Sequence, residues 1–329
     1  MTTTRFGIVG CGQMGRRHAR NLGESAAGVV TAVADVDAGR AGTLAAEVGA
    51  AVYADVEDML AAGLVDALIV TTPPRLRRGV ILPAVEVGLP LFVEKPPAFD
   101  LPEARACAGV IARQGLLTSV GFMLRYQPMT QRAGELLAGH QITLVRTMCT
   151  VGYYLHMKMP LWFLQKDQSG GPLCEQAIHV LDAARYLAGD VTHVFARGDR
   201  IVRPEVREVD AEDTLALVYR FANGALGVHS HSCAIDKFRF EVECLGPDVR
   251  LLLDYGERRL TGLLGAETVE ESFAPFDAYR AEIVAFAGAV RGEGTAVRST
   301  YADAVRTLAF TLAGNRSLET ATWEAVEVD

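Results

Sequence analysis

The sequence has little of several features that mark particular classes of protein. Its six cysteines are scattered without a C-x-x-C pair, so we expect reduced, mostly buried thiols rather than a disulfide framework or a zinc site. Acidic residues outnumber basic ones by 40 to 32, and the net charge of −8 argues against a nucleic-acid partner. No apolar run is long enough to span a bilayer, and the first residues form no basic, apolar leader. We therefore expect a cytoplasmic protein without a membrane partner.

The apolar content is high enough for two domains. Half of the 329 residues are hydrophobic, which allows two well-filled cores. Strands and helices alternate through residues 1–122, which predicts an α/β domain with a doubly wound parallel sheet. Sequential strands with few crossover helices follow, so residues 123–329 are predicted to form an α+β domain with a large, mostly antiparallel sheet. In that part, Asn223-Gly224 is a hairpin signal, and helices are predicted at Pro172–Leu187, Asp277–Arg291 and Tyr301–Ala313.

A glycine-rich turn follows the first apolar strand. Its pattern, G-x-G-x-x-G, suits a tight turn, a close approach of backbone to a pyrophosphate, and helix–strand packing. The second strand, Val29–Ala34, ends in Asp35, twenty residues beyond Gly15, where a carboxylate would hold an adenosine ribose. The alternative is an ordinary βαβ unit with a solvated aspartate. The loop residues predicted to bind a dinucleotide cofactor are Gly10, Cys11, Gly12, Gln13, Met14 and Gly15.

Two more segments end at the carboxyl edge of the predicted sheet, where doubly wound sheets bind their ligands. The fourth strand ends at Thr71–Pro73 and the fifth at Glu94-Lys95. Pro96 keeps Lys95 out of the helical region, and the bond between them could be cis. Lys95 is therefore either a ligand-binding residue or a surface lysine before a turn. The further cofactor-binding candidates are Thr71, Thr72, Pro73, Glu94 and Lys95.

A helix in the second part carries polar residues at helical spacing. Pro172 suits its first position. Glu175 and His179 are four residues apart and are predicted to share a face, with Asp182 three residues further on. A histidine in such a place is either catalytic or structural. The aromatic residues that could line a substrate pocket, or serve only packing, are Tyr126, Tyr154 and Trp162.

In their order and spacing these motifs resemble the Gfo/Idh/MocA family, the glucose–fructose oxidoreductase and inositol dehydrogenase group. The resemblance extends over essentially the whole chain. It implies a Rossmann domain followed by an open-faced sheet domain, an NAD or NADP cofactor, and a ring carbinol of a sugar, cyclitol or nucleotide sugar as substrate. It also implies that Lys95 orients the reacting oxygen, while Glu175 and His179 bind substrate hydroxyls and His179 acts as acid or base.

The sequence departs from the family pattern at two positions. Glu175 stands where the family usually has aspartate, so its carboxylate reaches one methylene further. Arg77 stands where T-P-x-x-x-H members carry histidine, and it forms a basic cluster with Arg75 and Arg78. This cluster is either a solvated face or a contact for a phosphate of the substrate or cofactor.

Residues and resemblance together predict an NAD(P)-dependent dehydrogenase or reductase for a sugar, sugar derivative or cyclitol, with no catalytic metal. NAD is expected rather than NADP, because Asp35 would repel a 2′-phosphate and Arg40, the nearest cation, lies in the next helix. An NAD-dependent glycosidase using transient oxidation and a non-catalytic nucleotide-binding sensor are the alternatives. Leu215–Tyr219 and Leu251–Leu253 lack clean polar alternation, so we expect the second domain's sheet to build a homodimer or homotetramer.

Overall fold

The computed structural model describes residues 3–156, 159–202 and 204–327. The chain divides into two compact units, one of residues 1–123 and 277–305, the other of residues 124–276 and 306–329. The sequence led us to place everything after residue 122 in the second domain, whereas the structure groups residues 277–305 with the first. No helix among the described residues has the length and apolar composition needed to cross a bilayer.

The secondary structure comprises the following strands and helices. The strands are β1 (Arg5–Val9), β2 (Val29–Ala34), β3 (Ala51–Tyr53), β4 (Ala67–Val70), β5 (Leu91–Val93), β6 (Thr118–Val120), β7 (Leu144–Thr150), β8 (Val191–Asp199), β9 (Thr214–Phe221), β10 (Leu226–Ser232), β11 (Arg239–Leu245), β12 (Val249–Asp254), β13 (Arg259–Leu264), β14 (Glu267–Ser272) and β15 (Glu324–Ala325). The α-helices are α1 (Gln13–Ser25), α2 (Ala38–Val48), α3 (Val56–Ala61), α4 (Arg77–Glu86), α5 (Leu101–Gln114), α6 (Pro128–Leu137), α7 (Tyr153–His156), α8 (Lys166–Ser169), α9 (Ile178–Ala188), α10 (Ala278–Val290) and α11 (Tyr301–Thr320).

The first unit is built on a parallel sheet in the order β3-β2-β1-β4-β5-β6, as the sequence predicted. Its central strand β4 is buried along its whole length, which explains why that strand is continuously apolar. Helix α10 packs on α1, and Phe286 of α10 lies 6.2 Å from Phe6 and 5.9 Å from Phe92 between ring centroids. This apolar contact with the sheet is the reason residues 277–305 belong to the first unit.

The second unit is built on a nine-stranded sheet in the order β14-β13-β12-β11-β7-β10-β9-β8-β15. Every pair is antiparallel except β7 and β10, so the expected mostly antiparallel sheet is confirmed. Asn223-Gly224 forms the turn between β9 and β10, where Gly224 adopts a φ of +90°. Helix α6 and strands β14 and β15 were not predicted from the sequence. Helix α11 extends to Thr320, beyond the predicted end at Ala313.

One face of this second sheet is covered and the other carries exposed apolar side chains. Helix α9 packs on β7 and β11. Along β9 the residues alternate between buried and exposed, and apolar residues occupy both kinds of position between Leu215 and Tyr219. Two of its outward residues, Ala216 and Val218, are apolar; Val218 is 38% exposed, and its partner on β10, Val228, is 41% exposed.

Candidate functional site

The glycine loop has the geometry that its sequence predicted. Gly10 has a φ of +100°, a left-handed conformation that favours glycine. A Cβ on Gly15 would lie 2.1 Å from the carbonyl oxygen of Gly10, so no larger residue fits there. A Cβ on Gly12 would meet no protein atom within 4 Å, which leaves space for a ligand beside the start of α1. The three glycines thus serve the turn, ligand approach and helix packing.

The Asp35 side chain, at the end of β2, is hydrogen-bonded to the glycine loop and is largely buried rather than solvated. Its carboxylate accepts hydrogen bonds from the backbone N–H of Cys11 at 2.8 Å and of Asp37 at 2.9 Å, and from the Arg40 guanidinium at 2.8 Å. Burial opposes ionisation of Asp35, but these donors, Arg40 foremost, hold its pKa below the usual range. Asp35 is therefore ionised at neutral pH.

A cavity of about 680 Å³ lies beside this loop. Four of its lining residues are arginines (Arg16, Arg17, Arg20 and Arg40), and one is acidic (Glu47). The amino terminus of the 13-residue helix α1 adds unsatisfied N–H groups and a positive dipole end. Open space, positive charge and the Asp35 carboxylate beside the glycine loop fit a dinucleotide.

The carboxyl ends of β4 and β5 lie next to the same loop. The Thr71 hydroxyl donates to the carbonyl of Gly10 at 2.5 Å, so it joins the two loops. The Thr72 hydroxyl oxygen is buried, and no hydrogen-bond partner for it occurs among the described residues. The Lys95–Pro96 peptide is cis. Lys95 itself is partly exposed, whereas the preceding Glu94 is buried.

The expected basic cluster after β4 is not one surface, and the interpretation of Arg77 as part of a solvated face is wrong. Arg77 is 4% exposed and donates to backbone carbonyls, whereas Arg78 is exposed. The Arg75 guanidinium lies over the ring of Phe99, 3.6 Å from its centroid. Because its donors bind backbone carbonyls, the Arg77 guanidinium presents little surface to a phosphate. A charged residue seven positions after the end of β4 gave no sequence signal that it would turn inward.

A buried group of ionisable residues lies behind Lys95, and the sequence analysis did not identify it. His18 Nε2 and Glu94 Oε1 are 2.7 Å apart. One ring nitrogen of His18 and one carboxyl oxygen from each of Glu94 and Glu282 lie within 4.8 Å of one another. Burial opposes ionisation of Glu94, but the hydrogen bond and charge of His18, with the charges of Lys95 and Arg77, hold its pKa below the usual range. Glu94 is therefore an anion in the interior of the first unit.

Glu282 is the member of this group whose surroundings disfavour the charged form. It is fully buried on α10, and neither of its carboxyl oxygens has a hydrogen-bond partner among the described residues. Burial, followed by the negative charges of Glu94 and Asp277, raises its pKa well above the usual range. The sequence signal was a glutamate on the apolar face of a helix, next to Ile283.

In the second unit a π-helical turn, Leu173–Ala177, leads into α9. Glu175 lies in this turn and His179 lies in α9, so the α-helical spacing that placed them on one face does not hold across the turn. Both residues are 7% exposed. The ring of His179 lies 5.9 Å from that of Phe240 at an angle of 33°.

Asp182, which we considered as a third polar group of the site, has a structural role instead. It is fully buried, and both of its carboxylate oxygens accept hydrogen bonds of 2.7 Å from the Arg125 guanidinium. The Thr307 hydroxyl donates to it as well, at 2.7 Å. This ion pair joins the segment before α6 to α9 and α11. Its partner, Arg125, could not be identified from helical spacing.

The three aromatic candidates lie in different environments. Tyr154 is 2% exposed and its hydroxyl donates to the carbonyl of Ala211, which favours a packing role. Tyr126 is buried, and Trp162 is 37% exposed with its ring edge-on to Phe163. As predicted, all six cysteines, each within the described residues, are buried and none forms a disulfide.

The second unit also holds a polar cluster that the sequence analysis did not identify. The Cys233 thiol donates to the Gln176 side-chain oxygen at 2.9 Å, and His231 Nε2 lies 3.1 Å from the same oxygen. Burial lowers the pKa of His231 to about 3, so this histidine is neutral. Gln176 follows Glu175 directly, and the cluster therefore holds the π-helical turn that carries Glu175.

Comparison with known proteins places both units in one family. Residues 4–122 match the family model described as "Oxidoreductase family, NAD-binding Rossmann fold", and residues 130–247 match the GFO/IDH/MocA C-terminal domain. The chain is 30% identical over 228 residues to a myo-inositol dehydrogenase of Streptomyces leeuwenhoekii, with 68% of each protein covered. It is also 30% identical over 226 residues to the scyllo-inositol 2-dehydrogenase (NAD(+)) of Bacillus subtilis, covering 68% of this chain and 65% of the relative.

Solved structures show the same fold. A levoglucosan dehydrogenase in complex with NADH and levoglucosan superposes with a TM-score of 0.87 over 100% of both chains, at 21% identity. With the glycine loop, the E-K-P segment and both family models accounted for, the chain belongs to the Gfo/Idh/MocA family of NAD(P)-dependent oxidoreductases.

Proposed function

We propose that this enzyme uses NAD to oxidise one secondary carbinol of a sugar, sugar derivative or cyclitol, or reduces the matching ketone. The observation that carries this proposal is the low exposure of Glu175 and His179, a carboxylate and an imidazole in the second unit. Polar side chains in such surroundings favour a ligand rich in hydroxyl groups over an apolar alcohol. Two relatives that are 30% identical are inositol dehydrogenases, which supports the same substrate class.

The first unit's residues would hold the cofactor. The Gly10–Gly15 loop and the start of α1 suit the pyrophosphate, and Asp35 suits the adenosine ribose. Thr71–Pro73 and Glu94-Lys95 lie at the carboxyl ends of the next strands and complete the proposed cofactor site. When bound, NAD supplies the hydride acceptor for oxidation of the carbinol carbon.

The protein's own residues manage the proton and the developing charge. Loss of hydride from a carbinol requires its hydroxyl proton to leave, and a histidine has a suitable pKa range for accepting it. We assign that role to His179. Lys95 provides positive charge for the developing alkoxide, and Glu175 orients His179 or holds a neighbouring hydroxyl.

A dehydrogenase screen tests this function. The purified chain is incubated with NAD and a panel of inositols, free sugars, sugar phosphates and nucleotide sugars, and reduced nicotinamide is measured by its absorbance. Turnover of a polyol, with none of a small aliphatic alcohol, is expected. Turnover restricted to an aliphatic alcohol, an imine or an aromatic diol would contradict the proposal. Cleavage of a glycoside without added NAD and without release of NADH would indicate the glycosidase instead.

We further propose that the enzyme is a homodimer or homotetramer assembled through the open face of its nine-stranded sheet. A groove of about 830 Å³ crosses that face over β7, β8, β9 and β10. Val218 and Val228 lie opposite each other on the same face, and both are exposed. Exposed apolar side chains on an open sheet face are typical of an interface, and a second copy of the chain would cover them.

A further inference from the structure

The backbone around Lys95 needs hydrogen-bond donors that its own strand does not supply. Strand β5 ends at Val93, and Pro96 and Pro97 follow Lys95. Proline has no N–H, so this segment contributes few backbone donors to a ladder or turn. Buried carbonyl groups left without donors are costly, so the carbonyls here require donors from elsewhere in the chain.

Arg77 supplies donors to this segment from the first turn of α4. Its Nη1 donates to the carbonyl of Glu94 and its Nη2 to that of Lys95, the latter at 3.3 Å. Its Nε donates to the carbonyl of Thr72 at 2.9 Å. One guanidinium therefore bridges the end of β4, in the proposed cofactor site, to the segment that carries Lys95.

Other side chains fix the neighbouring positions. The Lys95 N–H donates to Glu94 Oε2 at 3.1 Å, and that carboxylate is itself bonded to His18. The Tyr301 hydroxyl donates to the carbonyl of Pro97 at 3.1 Å. Side chains thus hold both the N–H and the carbonyl of Lys95. Of these side chains, Arg77 also binds the backbone just after the neighbouring strand β4.

We propose that Arg77 is a positioning residue for Lys95, which it orients by holding the carbonyls on both sides of that residue's backbone. The proposal rests on the role assigned to Lys95 above. The planar guanidinium presents its N–H donors in a fixed fork, so it can hold three carbonyls at once, whereas a lysine ammonium cannot match that geometry. Displacement of a reactive group by about 1 Å can reduce turnover by about a hundredfold, so backbone placement matters here.

Burial distinguishes Arg77 from other arginines of the first unit. It is 4% exposed, in contrast to Arg113 at the end of α5, which is exposed. Arg113→Met therefore serves as a matched control that removes an arginine from the same unit without touching the Lys95 segment.

The experiment compares Arg77→Met, Arg77→Lys and Arg113→Met in the full-length enzyme. kcat and KM are measured with the best substrate of the panel, and the Kd of NADH is measured by fluorescence. The chain has four lysines (Lys95, Lys158, Lys166 and Lys237), so dimethylation with ¹³C-formaldehyde gives a simple NMR spectrum. Loss of one signal in Lys95→Arg assigns that of Lys95.

We expect Arg77→Met to lower kcat at least about tenfold and to shift the Lys95 signal, while the other lysine signals and the Kd of NADH stay near those of Arg113→Met. Arg77→Lys should recover part of the lost kcat. An unshifted Lys95 signal, or a kcat equal to that of Arg113→Met, would overturn the proposal. If Arg77→Met does not fold, Arg77→Lys takes its place. Its kcat should then lie below that of Arg113→Met at a similar Kd of NADH, and an equal kcat would overturn the proposal. Absence of turnover in the wild type with every polyol refutes the proposed function, and the NMR comparison then decides the placement of Lys95 by itself.

Discussion

Arg40 Nη2 lies 2.8 Å from Asp35 Oδ1, so the aspartate at the end of β2 has a cation as its neighbour. This pair bears on cofactor choice in two opposing ways. The Asp35 carboxylate repels a 2′-phosphate, whereas Arg40 attracts one. Asp35 has two further backbone donors and is 7% exposed in its side chain, while Arg40 is 49% exposed. The Asp35 carboxylate is thus held in place and shielded from water, whereas solvent screens the charge of Arg40.

We therefore expect NAD to bind more tightly than NADP. Asp35→Asn should remove the repulsion, leave Arg40 in place, and raise the ratio of NADP to NAD affinity by at least about tenfold, or 1.4 kcal/mol. Fluorescence titrations with NADH and NADPH at moderate salt measure this ratio. Tighter NADPH binding by the wild type would contradict the prediction.

Removal of either proposed catalytic side chain should affect turnover more than cofactor binding. Lys95→Ala and His179→Ala are each expected to lower kcat by roughly two to four orders of magnitude. The Kd of NADH should change much less than kcat, because neither side chain is needed to form the glycine loop. Near-wild-type turnover in His179→Ala would show that this histidine is a structural or binding group, and Lys95 would then be the acid or base.

Glu282 should make the stability of the first unit fall as pH rises. Its pKa in the folded protein is raised, so the folded state keeps a proton that the unfolded carboxyl has already lost. Between the unfolded and folded pKa values, each pH unit costs up to about 1.4 kcal/mol of stability. Glu282→Gln cannot lose that proton.

We expect the melting temperature of Glu282→Gln to rise relative to wild type as pH increases from 5 towards 9. Calorimetry across this range measures the difference, and Glu86→Gln, at an exposed position of α4, is the control. A constant difference between Glu282→Gln and wild type at every pH would show that Glu282 is not protonated in the folded protein.

The open sheet face should determine the oligomeric state. Val218→Asp places a charge in the proposed interface and is expected to dissociate the oligomer, because an unpaired charge is costly to bury. Val87→Asp, at an exposed apolar position of the first unit, should leave the assembly intact. Sedimentation at micromolar concentration measures the mass, and a monomeric wild type would contradict the prediction.

Local sequence patterns were sufficient for most of the fold. Val29–Ala34 forms the predicted strand with the same bounds, and the helix predicted at Asp277–Arg291 spans Ala278–Val290 with Asp277 as its N-cap, because apolar periodicity and capping residues act on near neighbours in the chain. The three-residue strand β3 gave no such signal because it is too short for a period. The glycine loop was predictable for the same local reason, since its φ angles and close contacts arise within one turn and its adjacent strand.

The sequence by itself thus determined the class of each domain, the family and the chemical types available to the site. Tertiary structure decided which charged residues turn inward. Arg77 is buried under the Lys95 segment, Asp182 pairs with Arg125, and the pKa of Glu282 is raised by burial and by the charge of Glu94. Each outcome depends on a partner from a distant part of the chain and on the loss of water around both groups. Residue type and spacing carry no information about either, because burial and charge pairing arise when separate elements pack together.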